Sequence, residues 1–295
     1  MKILNFGSIN IDHVYSLPHL VREGETLAST AYRKNEGGKG LNQSIALAKA
    51  GAEVYQAGAI GQDGRFLLAF LEQMGVRTQY VEVIDEPTGH AMIQVDEAGH
   101  NSIVLYGGAN QKVDVPMIDR VLACFEPGDC LLLQNEISGT AELIVRARAK
   151  GMQVALNPSP ITPALLGYPL DKVDWLILNE IEGGELTGER DPGRMLDALI
   201  ARFPRCRVVL TLGEQGAVYA DAQRRVSQAA VRTQAVDTTA AGDTFTGYFL
   251  SGALGGQEIS RALYQAAVAA AIAVSRPGAG RSIPCREEVL EACAE

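Results

Sequence analysis

The sequence contains no apolar run near the ~20 residues needed to cross a bilayer, no cysteines at C-x-x-C spacing, and no excess of basic residues. Each absence excludes something. Without the apolar run, no membrane-spanning helix is expected. Five cysteines at wide spacings (Cys124, Cys130, Cys206, Cys285 and Cys293) suggest neither a disulfide framework nor a zinc site, and read as reduced thiols. Lysine and arginine total 26 against 35 acidic residues, a net charge of -9. That balance argues against a nucleic-acid or membrane-surface binder, which would carry a basic footprint. It leaves room for an anionic ligand, because a few local donors can hold one phosphate. Met1-Lys2 runs straight into a strand-like segment rather than a cleavable leader, so a cytoplasmic protein is expected. There is also no G-x-G-x-x-G fingerprint, which disfavours a nicotinamide-dependent oxidoreductase.

What is present is material for a large core. The chain has 295 residues, 47% of them hydrophobic and 21% charged, and fits one large α/β domain over 1–295. Lys2 to Phe6 reads as a buried strand opening into a polar loop, Ser8 to Asp12. A strand–helix alternation follows. Strands are predicted at Val54 to Ile60, Cys130 to Gln134, Gln153 to Leu156, Trp175 to Leu178 and Arg207 to Leu212. Helices are predicted at Leu41 to Ala50, Phe66 to Met74, Ala141 to Lys150, Gly242 to Leu254 and Ile259 to Val274. Repeated βα units imply a mostly parallel sheet covered by helices. Two segments interrupt the pattern. Residues 13–36 are polar, with short strands possible at Thr26 to Tyr32. Residues 89–107 carry a hairpin signal around Asp96-Glu97-Ala98-Gly99. Together they predict a small separate sheet.

Three segments carry chemistry. In Asp237-Thr238-Thr239-Ala240-Ala241-Gly242-Asp243, small residues precede an apolar helical run. A ligand can approach that backbone closely, and the free N–H groups of a helix's first turn favour an anion. Asp243 on the same turn could accept a proton from a hydroxyl attacking a bound phosphate. It could equally be a first-turn acid stabilised by the helix dipole. Gly37-Gly38-Lys39-Gly40-Leu41-Asn42 is a second glycine-rich turn before a helix. It is not a Walker A loop, since Gly40 stands where Ser or Thr should follow the lysine, and a purely structural turn is an open alternative. Asn10 and Asp12 could bind a polyol or simply cap a strand end.

These segments, with Gly107-Gly108-Ala109-Asn110, Gln134-Asn135-Glu136, Leu156-Asn157-Pro158, Asn179-Glu180-Ile181-Glu182 and Thr211-Leu212-Gly213-Glu214-Gln215-Gly216, follow one another in a family order. From residue 3 to about residue 284 the chain resembles the ribokinase (PfkB carbohydrate kinase) family. The resemblance implies an α/β three-layer sandwich: a mainly parallel sheet with helices on both faces and a small β-sheet lid. It implies ATP-dependent transfer of the γ-phosphoryl group to a primary sugar hydroxyl, with D-ribose the expected acceptor. Deoxyribose, fructose or a nucleoside is the alternative, as is a catalytically silent binding protein on the same fold.

Residue by residue, the resemblance makes Asp243 the catalytic base and Ala240, Ala241 and Gly242 the anion hole. It makes Asn10, Asp12, Gly38, Lys39, Gly40, Asn42 and Glu136 sugar-binding positions. Relatives that prefer deoxyribose tend to carry an apolar residue in place of Asn10, so asparagine there favours a sugar with a 2-hydroxyl. Asn179, Thr211, Gly213, Gly216 and Gly242 match nucleotide-binding positions, and Glu182 the acid that organises Mg²⁺ through water. Asp237, Thr239, Ala273, Arg276, Gly278 and Ser282 match a K⁺ site. The expected partners are a sugar and ATP, with a homodimer formed through the lid. Four residues depart from the family pattern: Ala267 where a larger polar residue is common, Leu178 for a proline, Asn135 beside Glu136, and Glu36 beside the glycine loop.

Overall fold

A computed structural model describes residues 1–294. The chain opens with β1 (Ile3–Phe6), β2 (Asn10–Ser16), β3 (Ala31–Gly37), α1 (Lys39–Lys49) and β4 (Val54–Ile60). It continues through α2 (Arg65–Gln73), β5 (Arg77–Val83), β6 (Gly89–Val95), β7 (Asn101–Tyr106) and α3 (Val115–Leu122). The centre holds β8 (Cys130–Gln134), α4 (Thr140–Ala149), β9 (Gln153–Asn157), β10 (Trp175–Asn179), α5 (Glu180–Thr187) and α6 (Pro192–Arg202). The last third carries β11 (Arg207–Thr211), β12 (Ala217–Ala220), β13 (Arg225–Gln228), α7 (Ala241–Leu254), α8 (Ile259–Val274) and α9 (Arg286–Ala292).

Nine strands form the main sheet in the order β13-β12-β11-β10-β9-β8-β1-β4-β5. The run from β11 through to β5 is parallel, and β12 and β13 add an antiparallel edge. Helices cover both faces of the central strands, so every residue of β1, β4 and β8 is buried, the polar Asn5, Gln56 and Gln134 included. One face packs against α3, α4 and α6 through Ile118, Leu143, Ile144, Leu196 and Leu199. The other packs against α1, α2, α7 and α8 through Ile45, Leu67, Phe249 and Leu263.

The interrupted alternation marks a separate four-stranded sheet, order β3-β2-β6-β7. Its β2–β3 and β6–β7 pairs are antiparallel, and β2–β6 is parallel. Two expectations need correcting. The polar stretch Ser8 to Asp12 is not all loop, because Asn10 onward pairs with β3 on one side and β6 on the other. Thr26 to Ser29 forms no strand, and the extended segment is instead Ala31–Gly37, which has β2 to pair with. In both cases the available pairing partner overrode local composition. All five cysteines are free thiols. No helix of the described residues is long and apolar enough to cross a membrane.

Helices α1 and α7 pack closely at a small-residue contact. A Cβ built on Gly247 of α7 would lie 2.4 Å from the Ala46 Cβ and 2.8 Å from the Leu47 nitrogen of α1. Glycine at that point lets the two helices run side by side, and the contact brings their N-termini together.

Candidate active site

The carboxyl ends of β1, β8, β9, β10 and β11 open toward one crevice, the usual place for a ligand in a parallel sheet. Loops and helix N-termini carry the expected residues there. Lys39, Asn179, Glu182, Thr211 and Ala240 to Asp243 line one cavity of about 270 Å³. It adjoins a cavity of about 990 Å³ bounded by Asn179, Thr211, Gly213, Gly216, Gly242 and the alanines of α8. Segments more than 200 residues apart in sequence therefore meet in one place.

The turn into α7 is specialised. Ala240 has φ 61° and ψ 11°, the one non-glycine residue with positive φ among the described residues. A left-handed alanine costs about 1–2 kcal/mol and persists only where its surroundings impose it. The Ala241 N–H bonds back to the Thr238 carbonyl at 3.3 Å, closing the turn. The amides of Gly242 and Asp243 have no protein acceptor among the described residues. No side chain caps this helix. A Cβ built on Gly242 would meet no protein atom within 4 Å. Glycine is therefore not required there by packing, and the space over it is open to a ligand.

Asp243 sits beside those amides and is 7% exposed. Its Oδ2 accepts from Asn42 Nδ2 at 3.2 Å, and its Oδ1 from Gln43 Nε2 at 2.8 Å. Both donors belong to the first turn of α1. Asn42 Oδ1 is buried without a partner, near Gly280. The neighbouring Asp243 carboxylate, opposed by burial and helped by Glu136 and Glu182, holds the Lys39 ammonium above its ordinary range. Lys39 is thus a fixed positive charge among three carboxylates.

The glycine loop is required by close approach. A Cβ on Gly40 would fall 2.5 Å from the Gly7 carbonyl carbon and the Ser8 nitrogen. That contact lets Ser8 join the site. Its hydroxyl donates to Glu136 Oε2 and accepts from the Gly40 amide at 3.2 Å, while the Lys39 amide donates to the same Glu136 oxygen at 3.2 Å. Asn10 Oδ1 accepts from Asn110 Nδ2 at 2.7 Å, and Asn110 Oδ1 in turn accepts from the Ile9 amide. The Asn10 amide nitrogen therefore faces the crevice as a donor. No protein donor reaches the Asp12 carboxylate among the described residues. Burial, then the nearby Glu136, pushes Asp12 up to about 6. Burial likewise raises Glu136, against the hydrogen bonds from Ser8 and Lys39.

Asn179 and Glu182 lock each other in a capping box. Asn179 Oδ1 accepts from the Glu182 amide at 2.9 Å, and Glu182 Oε2 from the Asn179 amide at 3.1 Å. The remaining carboxylate oxygen of Glu182 is free to face the cavity. No three His, Cys, Asp or Glu side chains gather as a metal cage among the described residues. A lone carboxylate beside a phosphate site fits Mg²⁺, which keeps most of its waters. Asp237 accepts from the Thr239 amide at 2.9 Å and the Gly278 amide at 3.0 Å. Burial opposes its ionisation, yet these hydrogen bonds hold the carboxyl below its usual range. They tie the loop before α7 to the loop after α8, where Arg276, Gly278 and Ser282 lie, with Ala273 in the last turn of α8. The Arg276 side chain is engaged by Glu288 at 2.6 Å.

Sequence reasoning missed Gln43, Ser8 and Asn110 as site residues. Ser8 and Asn110 lie inside segments that carried the family order, but their partners became visible only on folding. The departures from the pattern are accommodated. Asn135 donates to the Pro160 carbonyl at 2.7 Å and accepts from the Tyr168 hydroxyl at 3.0 Å, so it holds the loop after β9. Glu36 pairs with Arg281 at 2.5 Å. Ala267 lines the larger cavity.

Comparison with known proteins identifies the family and the fold. Residues 1–286 match the model of the pfkB family of carbohydrate kinases. A ribokinase of Haemophilus influenzae is 36% identical over 294 residues, covering 97% of this chain and 96% of that one. The structure of a Cryptococcus neoformans ribokinase in complex with ADP superposes with a TM-score of 0.86 at 36% identity, covering 99% of both chains. An Arabidopsis thaliana ribokinase complexed with ribose and ATP gives 0.86 at 31% identity, covering 98% of this chain and 97% of that one.

The open space over Gly242 yields a test. Gly242→Ala should leave stability toward urea within about 1 kcal/mol of the parent, since glycine in a helix is if anything the weaker residue. It should weaken ATP binding, read by calorimetry. Unchanged ATP affinity would show that the space is not used by the phosphates.

Proposed function

The chain belongs to the pfkB family of carbohydrate kinases, and from that premise we propose that it transfers the γ-phosphoryl group of ATP to the 5-hydroxyl of D-ribose. The observation that carries the reading is the pairing of Asp243 with the unpartnered first-turn amides of α7 over open space. Phosphoryl transfer needs positioning and charge neutralisation more than covalent chemistry. Asp243 would accept the proton of the attacking hydroxyl. The Gly242 and Asp243 amides, at the positive end of the helix dipole, would receive the transferred group, with Ala240 and Ala241 shaping the turn that aims them. Lys39 would neutralise the phosphate oxygens, standing as the positive charge beside Asp243 and Glu136.

For the acceptor, ribose is supported by a polar lining. Asn10 offers a donor, and Asp12 and Glu136 offer acceptors, with Gly38 and Gly40 giving the backbone room and Asn42 holding the Asp243 carboxylate beside them. A site built to hydrogen-bond a hydroxyl rejects an analogue lacking it, because the partner is then left unpaired. Asn179, Thr211, Gly213 and Gly216 would contact the nucleotide. Mg²⁺, held through water by Glu182 and by the phosphates, would supply neutralisation of their charge. A K⁺ ion near Asp237, Thr239, Ala273, Arg276, Gly278 and Ser282 would stiffen the loop that shapes the anion hole. Cytoplasmic location is part of the reading, supported by five unpaired cysteines. So is a homodimer through the lid, supported by the exposed Ile103, Val104, Leu105 and Tyr106 of edge strand β7. A solution mass of 31.5 kDa by sedimentation would overturn the dimer.

The decisive experiment combines a substrate panel with one substitution. Ribose should exceed deoxyribose, fructose and nucleosides in kcat/KM in an ADP-release assay, with K⁺ raising the rate. Asp243→Asn should lower kcat by roughly 10²–10⁴-fold while ribose still binds. A nucleoside or hexose ranking first would overturn the acceptor, and an active Asp243→Asn would overturn the mechanism.

A pH dependence follows from Asp12. Its ionised form is the acceptor for sugar hydroxyls, and that form is lost as pH falls through about 6. Ribose Kd should therefore rise as pH is lowered from 7 to 5, and Asp12→Asn should bind weakly with a flatter profile. A flat profile in the parent protein would remove Asp12 from the sugar site.

A further inference from the structure

We propose that Gln43 is a positioning residue for phosphoryl transfer, held in one orientation by a directional relay of buried amides so that it always presents a donor to the Asp243 carboxylate. The inference rests on the reading of Asp243 as the base.

The relay lies under α1. Asn5, Gln134 and Asn157 stand near the carboxyl ends of β1, β8 and β9, and Gln56 in β4 beside Asn5, on the face of the sheet that α1 covers. Asn5 pairs with Gln56 across β1–β4, and Gln134 with Asn157 across β8–β9. Asn5, Gln56 and Gln134 are completely buried, as are Gln43 and Ser44 above them. Five polar side chains in an apolar layer need an explanation beyond packing.

Each amide has one allowed orientation, because the relay is anchored on backbone carbonyls, which can only accept. Asn5 Nδ2 donates to the Gly40 carbonyl at 2.7 Å and to Ser44 Oγ at 2.8 Å. Its Oδ1 must then accept, and it does so from Gln134 Nε2 at 3.0 Å. The same Gln134 nitrogen donates to Gln43 Oε1 at 2.7 Å. With its oxygen occupied, Gln43 must turn its nitrogen outward. That nitrogen donates to Asp243 Oδ1 at 2.8 Å and to Asn157 Oδ1 at 3.0 Å. Asn157 is fixed in turn by donating to the Ile177 carbonyl at 2.9 Å. Gln56 closes the other side. It donates to the carbonyls of Gly7 and Ala57 and accepts from Ser44, so Ser44 can only accept from Asn5.

Gln134 directs both donor contacts at oxygens of the relay and leaves its own buried Oε1 without a partner. A network shaped by stability alone would not keep that orphan. An inverted Gln43 would place a carbonyl oxygen against a carboxylate and push Asp243 from its position. The relay therefore sets the position of the Asp243 carboxylate from Asn5, Gln134 and Gln43, side chains completely buried beneath the crevice.

The test uses Gln43→Met and Gln134→Met, singly and together, in the full-length protein. Gln43→Met should lower kcat on the order of 10²-fold, the effect of misplacing a reacting group by about 1 Å, with KM for ribose and ATP nearly unchanged. Gln134→Met should lower kcat by a smaller factor. The double variant should be no worse than Gln43→Met alone, because both act through one carboxylate. Activity is expressed per folded molecule, with folding followed by thermal unfolding. Should Gln43→Met not fold, Gln43→Asn keeps the amide, falls one methylene short, and should still lower kcat without raising KM. A loss confined to thermal stability, a rise in KM at constant kcat, or losses that multiply in the double variant would each overturn the proposal. If Asp243→Asn loses turnover while Gln43→Met keeps the parent kcat, the relay alone fails. If Asp243→Asn is active, the underlying reading fails first.

Discussion

Two helix N-termini meet over the carboxyl ends of a parallel sheet, and two hydrogen bonds from α1 to Asp243 of α7 hold them there. The rest of the site is arranged around that junction. The small-residue contact at Gly247 lets α1 and α7 lie close enough for Asn42 and Gln43 to reach the carboxylate. The left-handed turn at Ala240 then leaves the Gly242 and Asp243 amides aimed at open space. Separating the two helices would part Asp243, on the turn that carries the two unpartnered amides, from its donors Asn42 and Gln43.

The electrostatics follow from the same junction. Asp243, Glu136 and Glu182 would repel one another in a half-buried crevice, and Lys39 stands between them as their common counter-charge. Asp12 lies outside the reach of any protein donor, so its charge is poorly supported until a ligand supplies hydroxyls. Part of the crevice is thus complete without ligand and part is left waiting for one. The division falls between the helix termini, where Asp243, Asn42 and Gln43 are already bonded to one another, and Asp12 on strand β2 of the small sheet.

The departures from the family pattern become intelligible once partners are known. Glu36, at the end of lid strand β3, is neutralised by Arg281, whose guanidinium also lies 4.9 Å from the Phe70 ring centroid. Asn135 serves the loop after β9 rather than the sugar. Ala267 lines the cavity of about 990 Å³, where its small side chain leaves space. Nothing in the structure explains Leu178 beyond its burial in the core.

The alternation of apolar runs with glycine stops determined the parallel sheet, and its interruptions at 13–36 and 89–107 determined the lid. The helix Ile259–Val274 is legible from its apolar run alone, because long periodic segments bury whatever their partners. Asp243 and the glycine loop were legible because ligand chemistry constrains residue type locally. Tertiary structure alone decided that Asn10 lies on a strand, since both its neighbours come from distant segments. It alone decided that Gln43, Gln134 and Asn5 act on the same carboxylate. A buried amide carries no signature in sequence; its meaning lies in which atoms it faces, and those are set only when strands 130 residues apart pair side by side.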